Sequence, residues 1–330
     1  MSSPVYDLPD HSDILDAAQR LAGHAVRTPL LRNDVLDERL GARVFLKAEC
    51  LQRTGSFKFR GAYNRISRMN AGERARGVIA YSSGNHAQGV AAAARLTGTH
   101  ATILMPTDAP AAKVEGVRFW GGTVVTYDRA SGSREEIGAR IAAEEGRILV
   151  PPYEDRFVIA GQGTAGLEAM QQLAELGQAP DLLVCGAGGG GLIAGVGLAL
   201  KHAHPDAQIW AAEPEEFDDH RRSLLVGERV SNARLTGSIC DAIITPTPGE
   251  LTWQLNSRQL AGGVAVSDDE ALDAMAFAWR HFKIVIEPGG VVSLAAVLSG
   301  RIDVAGKTVC VLATGGNVDR AVFARALERG

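Results

Sequence analysis

The sequence predicts an α/β protein with twisted, mostly parallel sheets that carry helices on both faces. Short apolar or β-branched runs alternate with alanine-rich helical patterns along the 330 residues. Such alternation is typical of parallel sheets covered by helices. Hydrophobic residues make up 46% of the chain and charged residues 22%, as in globular proteins with a buried core. The length corresponds to two domains or to one large domain.

Seven short segments are predicted as strands because they are apolar and rich in β-branched residues. In chain order they are residues 43–49, 77–82, 100–106, 122–127, 181–186, 207–213 and 307–314. Four longer segments are predicted as helices because they are rich in alanine and repeat apolar residues at helical spacing. They are residues 86–98, 133–146, 165–177 and 269–282.

Three predicted strands follow one another in quick succession between residues 78 and 127, which predicts a compact sub-domain. The segment 151–155, with the sequence PPYED, would be the linker by which the chain leaves it. We therefore expect a small domain of residues 78–154 inserted into a large domain of residues 1–77 and 155–330.

Charge and cysteine content exclude several classes of protein. The formal net charge is −4, so the chain lacks the basic field that attracts nucleic acid or anionic lipid. Its four cysteines are far apart and form no CxxC pair, which fits buried thiols in a reducing compartment. The N-terminus has no basic segment followed by an apolar one, so no signal peptide is predicted. We expect a cytoplasmic protein without nucleic-acid or membrane partners.

Glycines cluster where the predicted strand 181–186 ends, in the sequence GAGGGGL. Glycine lets backbone N–H groups converge on an anion, and a following helix adds the positive end of its dipole, which predicts a phosphate site. Gly186, Gly188 and Gly191 also match the GxGxxG pattern, and Glu213 ends the next strand, where dinucleotide enzymes bind ribose. A tight turn without a ligand is a third interpretation.

Lys58 stands in an unusual segment. It lies between Phe57 and Phe59 and follows a Thr-Gly-Ser turn at residues 54–56. Aromatic neighbours predict partial desolvation, which lowers the pKa of a lysine and is the condition for Schiff-base chemistry. The alternative is an ordinary helix lysine whose ammonium reaches solvent.

Two further loops follow predicted strands. The sequence SSGNH at residues 82–86 follows the strand 77–82 and opens a helix, so its N–H groups and hydroxyls would bind a carboxylate. Asn85 would offer its amide to a ring oxygen. The sequence TGGN at residues 314–317 places the hydroxyl of Thr314 at the end of the last strand.

Together these residues resemble the fold-type II pyridoxal phosphate enzymes, specifically their serine/threonine dehydratase and serine racemase family. The resemblance extends from TPLL at Thr28, through VIAGQGT at residues 158–164, to TGGNVD at residues 314–319. It implies a two-domain, tryptophan synthase β-like fold whose large domain binds pyridoxal 5'-phosphate and whose small domain is mobile. It also implies a homodimer.

The resemblance implies a set of cofactor-binding residues. Lys58 would carry the cofactor covalently, Phe57 would pack on its ring, Asn85 would bind its 3-hydroxyl oxygen and Thr314 would contact its ring nitrogen. The phosphate would be held by Gly188, Gly189, Gly190, Gly191 and the amide of Leu192. Threonine replaces the serine or cysteine that is common in the family, and it keeps the hydroxyl. A neutral hydroxyl makes the ring a weaker electron sink, which favours prompt loss of a β-leaving group.

The activity implied is that of an ammonia-lyase, a dehydratase that removes water from L-threonine, L-serine or 3-hydroxyaspartate to give a 2-oxo acid and ammonia. Lys58 would take the Cα proton as general base. The chain ends soon after TGGNVD, so we expect no appended regulatory domain and a catabolic role. A serine racemase with side dehydratase activity is the alternative within the family. An NAD(P)-dependent oxidoreductase is the alternative from another class. That activity would not explain why Lys58 lies between two phenylalanines after a tight turn.

The substrate-binding residues implied by the resemblance are Ser82, Ser83, Gly84, Asn85, His86 and Arg134. Ser83 matches a serine that protonates the opposite face of the substrate in racemases, which makes it a second catalytic candidate; the alternative is a hydroxyl that only binds the carboxylate. Arg134 matches an arginine that meets a second carboxylate in relatives acting on dicarboxylates. The alternative is a solvated arginine at the start of a helix.

An acidic segment supplies a candidate divalent-cation site. In the racemase-like branch, a glutamate, a backbone carbonyl and an aspartate bind Mg²⁺ or Mn²⁺, and Glu213, the Phe217 carbonyl and Asp219 have that spacing. All three offer the oxygen ligands that such cations prefer. The alternative is a solvated acidic loop. A role in binding a metal ion would remove Glu213 as a ribose ligand.

Overall fold

The computed structural model describes residues 7–82, 84–109, 111–128 and 133–329. Ten strands lie within these ranges. They are β1 (Leu30–Arg32), β2 (Arg43–Ala48), β3 (Val78–Tyr81), β4 (Ala101–Pro106), β5 (Thr123–Tyr127), β6 (Ile148–Leu149), β7 (Leu182–Gly186), β8 (Gln208–Pro214), β9 (Gly262–Val266) and β10 (Thr308–Ala313).

Fourteen α-helices lie in the same ranges. They are α1 (His11–Leu21), α2 (Asp34–Leu40), α3 (Lys58–Ile66), α4 (Ala71–Arg76), α5 (Asn85–Leu96), α6 (Ala111–Phe119), α7 (Arg134–Glu145), α8 (Arg156–Glu175), α9 (Gly191–Ala203), α10 (Asp219–Val226), α11 (Glu250–Gln259), α12 (Asp268–Phe277), α13 (Pro288–Leu298) and α14 (Arg320–Leu327). No helix in the described part of the chain combines the length and hydropathy needed to cross a membrane.

The strands form two sheets. The larger has the order β1-β2-β10-β7-β8-β9, and only β1 runs antiparallel to its neighbour. The smaller has the order β5-β4-β3-β6 and is entirely parallel. The predicted α/β class with mostly parallel sheets is therefore confirmed. The smaller sheet lies inside the predicted segment 78–154, whose mobility as a domain stays a prediction.

Helices cover both faces of the larger sheet, as its strand sequences require. In β10, Val309 and Val311 join a core cluster formed with α12 and α13. Cys310 and Leu312 point to the opposite face and join a cluster formed with α8 and α9. Successive side chains of a strand face opposite sides, so a strand covered on both faces must be apolar throughout. This explains why β10 reads as a continuous apolar run.

All seven predicted strands are present, whereas β1, β6 and β9 were not predicted. The prediction for residues 165–177 found only the second half of α8, which begins at Arg156 after an N-cap by Asp155. Glycines in the first half of α8 interrupt the helical pattern of the sequence. They are present because α8 packs closely against α9. A Cβ at Gly163 would lie 2.9 Å from the carbonyl oxygen of Gly195 in α9. The predicted helix 269–282 is α12 followed by a π-helical turn at Ala278–Phe282.

A buried ion network joins α3 to the larger sheet and to α8. The guanidinium of Arg60 donates to both oxygens of Glu49 (2.7 and 2.8 Å) and to both oxygens of Glu168 (2.7 and 2.8 Å). Lys47 on β2 also donates to Glu168, at 2.8 Å. Burial raises the pKa of Glu49, but the paired Arg60 outweighs it and holds that pKa below its ordinary value. The carboxylate is therefore kept ionised inside the protein.

The four cysteines are free and buried. Burial raises the pKa of the Cys50 thiol to about 12, and it also raises the pKa values of the other three thiols. The sequence expectation of buried thiols is confirmed.

Substitution Arg60→Met tests the ion network. Methionine keeps much of the apolar volume but leaves the carboxylates of Glu49 and Glu168 without their guanidinium. Removing one partner of a buried ion pair typically costs about 3–5 kcal/mol, so we expect a fall of that size in the free energy of unfolding, measured in urea. The matched control is Arg140→Met, whose pair with Glu144 on α7 is exposed, and it should change stability by less than about 0.5 kcal/mol. Equal stability of Arg60→Met and the wild type would contradict the role of the network.

Candidate active site

A cavity of about 170 Å³ lies between the two sheets, beside the end of β3 in one and the end of β7 in the other. The predicted site residues that line it are Phe57, Lys58, Ser82, Gly84, Asn85, His86, Gly188, Gly189, Gly190, Gly191, Leu192 and Thr314. Ser83 lies outside the described residues, and so does the side chain of Arg134, the first residue of α7. Segments far apart in the sequence thus meet in one cavity.

Lys58 begins α3, and its ammonium is enclosed. Nζ donates to the carbonyl oxygen of Pro152 at 2.9 Å and lies 5.1 Å from the ring centroid of Phe57. Burial lowers the pKa of Lys58 to about 8, because desolvation disfavours the charged form. This agrees with the desolvated lysine expected from the sequence.

The turn before Lys58 and the loop after β10 hold each other in place. Thr54 adopts a positive φ of 67°, and its carbonyl oxygen accepts from Nδ2 of Asn317 at 2.8 Å. The amide of Phe57 donates to the carbonyl of Thr314 at 3.1 Å, and the amide of Gly316 donates to that of Gly55 at 2.9 Å. A non-glycine residue with positive φ persists only where its surroundings enforce it, so these bonds fix the direction in which the lysine leaves the turn.

The glycine loop between β7 and α9 is a backbone cradle. The carbonyl of Gly189 accepts from Oγ1 of Thr252 at 2.6 Å, and that of Gly190 accepts from Nδ2 of Asn256 at 3.2 Å. A Cβ on Gly189 would lie 2.3 Å from the ring of Tyr153, and one on Gly190 would lie 2.5 Å from Asn256. Side chains are therefore excluded, both carbonyls are engaged, and the N–H groups at the start of α9 are suited to a phosphate.

The loop at residues 82–86 brings polar groups to the other side of the cavity. Asn85 begins α5; its Nδ2 donates to Oε1 of Glu287 at 2.5 Å, and its Oδ1 accepts from Nδ2 of Asn317 at 2.7 Å. An amide nitrogen carries two hydrogens, so Glu287 engages only one of them. Nε2 of His86 lies 2.8 Å from the carbonyl oxygen of Val150, and burial lowers the pKa of His86 to about 3. The imidazole is therefore neutral at physiological pH.

Sequence reasoning missed several residues of this cavity. Glu287 is buried there, and burial raises its pKa to about 7. Tyr153, from the predicted linker, forms the wall behind Gly189, and Lys113 pairs with Asp241 at 3.2 Å. The one local signal was the Glu-Pro-Gly-Gly sequence that opens α13, which marks a helix start and not a cavity.

The predicted metal residues lie in a second, separate cluster. One ligand atom each from Glu213, Asp219 and His220 lies within 4.8 Å of the others, and all three residues are buried. Oδ2 of Asp219 and Nδ1 of His220 have no hydrogen-bond partner within the described ranges. Burial and the neighbouring Glu213 raise the pKa of Asp219 to about 7. His220 was missed from the sequence, and the role of the Phe217 carbonyl stays a prediction.

Glu213 does not have the surroundings of a ribose ligand. Its Oε1 accepts from the backbone amide of His220 and its Oε2 from that of Arg221, both at 2.8 Å. Both carboxylate oxygens are thus engaged at the start of α10.

A family model described as pyridoxal-phosphate dependent enzyme matches residues 21–315 of the chain. The chain belongs to this family. It is 43% identical to the L-threo-3-hydroxyaspartate ammonia-lyase of Pseudomonas sp, over 97% of this chain and 99% of that protein. A protein of the same name from Saccharomyces cerevisiae is 39% identical, over 97% of both chains. The structure of maize serine racemase is similar with a TM-score of 0.90 and 35% identity, over 97% of both chains.

The cavity of this pyridoxal phosphate enzyme fits the cofactor. A lysine whose Nζ is desolvated, an aromatic ring beside it and a loop in which side chains are excluded match an aldehyde, a pyridine ring and a phosphate. The resemblance inferred from the sequence is confirmed. The family match favours the phosphate interpretation of this glycine loop over the dinucleotide one.

Substitution Glu287→Gln tests the raised pKa in the cofactor-free protein. The folded state keeps the Glu287 proton between pH 4.5 and about 7, where the unfolded chain releases it. Its contribution to stability is therefore complete below pH 4.5 and is lost as the pH rises through 7. Between pH 5 and 8 the unfolding free energy of the wild type should fall by about 2–3 kcal/mol relative to the variant. Urea unfolding at both pH values checks this, with equal denaturant slopes as the control. An identical pH dependence of the two proteins would contradict it.

Proposed function

We propose that this chain is an ammonia-lyase that removes water from a small 3-hydroxy amino acid and yields a 2-oxo acid and ammonia. We expect 3-hydroxyaspartate to be the best substrate, with L-threonine and L-serine as weaker ones. The observation that carries the proposal is the desolvated Lys58 in one cavity with a phosphate cradle and the loop at residues 82–86. The two ammonia-lyases that match nearly the whole chain support it.

Pyridoxal phosphate, when bound, supplies an electron sink for the pair left on Cα after the proton is removed. We assign its anchoring to Phe57, Lys58, Asn85, Gly188, Gly189, Gly190, Gly191, Leu192 and Thr314. Thr314 offers a neutral hydroxyl, which holds no proton on a ring nitrogen as a carboxylate would. This favours prompt loss of the 3-hydroxyl over a lasting carbanion.

Lys58 is the proton carrier of the proposed reaction. A free lysine with a pKa of about 8 is partly neutral at physiological pH and accepts a proton more readily than one in water. Its Nζ takes the Cα proton and passes it to the 3-hydroxyl as the bond between C3 and that oxygen breaks, so the hydroxyl leaves as water. The released unsaturated amine takes up one water molecule in solution and splits into the 2-oxo acid and ammonia.

We assign the substrate's α-carboxylate to the loop formed by Ser82, Ser83, Gly84, Asn85 and His86. The N-terminus of α5 lies in this loop, and the unpaired N–H groups of a helix start attract a carboxylate. The neutral imidazole of His86 adds a hydrogen-bonding group without a second charge. Ser83 is assigned the proton on the opposite face, where racemisation would occur as a side activity.

The second carboxylate of 3-hydroxyaspartate requires a cation, and we assign Arg134 to it. The relatives from Pseudomonas and Saccharomyces cerevisiae carry the name of this dicarboxylic substrate. Arg134 opens α7, which packs against β3, the strand that leads into the loop at residues 82–86.

We also propose a divalent site for Mg²⁺ or Mn²⁺ at Glu213, the Phe217 carbonyl and Asp219. The unpartnered oxygen of Asp219 beside a second buried carboxylate supports it, because a buried charge without a partner is costly. Residues 78–154 would close over the cavity, since the cavity lies between the two sheets. A homodimer in the cytoplasm completes the proposal, on the strength of the family resemblance and the buried thiols.

Substitution Lys58→Ala tests the assigned proton carrier. Ammonia release from 3-hydroxyaspartate should fall by at least about 10³-fold, because both the base and the cofactor anchor are lost. Lys201→Ala, on the exposed end of α9, is the control and should keep wild-type activity. Thermal melting confirms that both variants fold. Sustained turnover by a folded Lys58→Ala variant would overturn the assignment.

Substitution Arg134→Ala tests the second-carboxylate assignment. A desolvated charge that loses its partner costs about 2–5 kcal/mol, so kcat/KM for 3-hydroxyaspartate should fall roughly 30-fold or more. Values for serine and threonine should change far less, because these substrates have no second carboxylate. Arg140→Ala, on the same helix, is the control. A uniform loss across the three substrates would reject the assignment.

A further inference from the structure

The imidazole of His220 lies between the cation cluster and the glycine loop. On one side its Nδ1 is 3.6 Å from Oε1 of Glu213 and 3.9 Å from Oδ2 of Asp219, both beyond hydrogen-bond distance. Nδ1 and that Asp219 oxygen are buried and find no partner among the residues that the structure describes. Two unpartnered polar atoms facing one space beside a second carboxylate indicate a place for a cation.

The opposite side of the same ring supports the phosphate cradle. Nε2 of His220 lies 3.3 Å from Nδ2 of Asn256, and this Nδ2 also donates to the carbonyl oxygen of Gly190 at 3.2 Å. A Cβ on Gly190 would lie 2.6 Å from Nε2, so the ring is the wall behind that residue. Gly190 is the N-cap of α9, with a φ of 92°. The position of Gly190 therefore sets the direction of the backbone N–H groups in the first turn of α9.

The charges of the two sites oppose each other when no cation is present. A phosphate brings negative charge to the glycine loop, and the carboxylates of Glu213 and Asp219 are only one imidazole away. Buried charges are poorly screened by salt, so this repulsion persists at physiological ionic strength. A divalent cation cancels the carboxylate charge. It also holds the first turn of α10, where His220 is the second residue.

We propose that a divalent cation bound by Glu213 and Asp219 strengthens phosphate binding at the glycine loop, with His220 as the positioning residue between the two sites. The inference rests on the divalent site proposed above and is independent of the choice of amino-acid substrate. Binding linkage is reciprocal, so a bound phosphate strengthens cation binding by the same factor.

The test uses the full-length chain from which the cofactor has been removed. Pyridoxal phosphate is titrated in with and without saturating Mn²⁺, followed by visible absorbance, and inorganic phosphate serves as a competitor. We expect Mn²⁺ to lower both dissociation constants on the order of ten-fold. Mn²⁺ binding, measured by electron paramagnetic resonance, should strengthen by the same factor when inorganic phosphate is present. Asp219→Asn should lose Mn²⁺ binding and the Mn²⁺ effect together, which separates this site from Mn²⁺ that pairs with the cofactor in solution.

A pair of variants tests His220 itself. His220→Asn keeps a polar group beside the carboxylates but is too short to reach Asn256 and Gly190. We expect it to bind Mn²⁺ and to show a coupling of about two-fold or less. Asn256→Ser removes the link on the loop side, away from the cation, and should weaken the coupling in the same way even if His220→Asn fails to fold. His204→Asn, at the end of α9, is the control and should keep the full coupling.

The coupling, the divalent site and the positioning role of His220 are each contradicted by a different result. Mn²⁺ binding that leaves both phosphate constants unchanged overturns the coupling. A wild-type protein that binds no Mn²⁺ overturns the coupling and the divalent site, whereas the ammonia-lyase assignment is decided separately by Lys58→Ala. Full coupling retained in folded His220→Asn or Asn256→Ser overturns the positioning role of His220 and leaves charge alone as the cause.

Discussion

The buried ion pairs of Arg60 are the constraint on which the position of Lys58 depends. Arg60 lies in the first turn of α3, two residues after Lys58, and is paired with both Glu49 beside the larger sheet and Glu168 on α8. Charges removed from water are tolerated only where partners surround them. Each of these carboxylates accepts from more than one donor. The start of α3 is therefore held in one favourable position, which also fixes the backbone of Lys58, its first residue.

Glycines are the second requirement for this cavity, because several backbone segments come close together around it. The glycine loop lies against Tyr153 and Asn256 with no space for side chains, and α8 lies against α9 through Gly163 and Gly195. Glycine is unfavourable in helix interiors by roughly 0.5–1 kcal/mol relative to alanine. Its use there indicates that close approach outweighs helix propensity at these positions.

Local sequence pattern was sufficient for the parts of the molecule that are locally determined. The seven predicted strands, the glycine loop and the desolvated Lys58 each have a signal within about ten residues. The sequence around Glu287 indicated only a helix start, because the place of Glu287 in the cavity comes from a contact with Asn85, 202 positions away in the chain. His220 was missed for a similar reason: it is of interest because it contacts Asn256 and lies against Gly190, and only the fold brings these residues together. The short strands β1 and β6 have too few residues to show any periodicity.

The ion pair between Lys113 and Asp241 joins parts of the protein that belong to different sheets. Lys113 lies on α6, which packs against β5 in the smaller sheet, whereas Asp241 lies in a turn packed against α13 of the larger one. Both line the cavity, and Asp241 is largely exposed, so the pair links the two sheets at a part of the cavity wall that solvent reaches. An exposed attraction of this kind is weak and is screened by salt. Rising ionic strength should therefore weaken this link between the two sheets, while the buried pairs of Arg60 are much less affected.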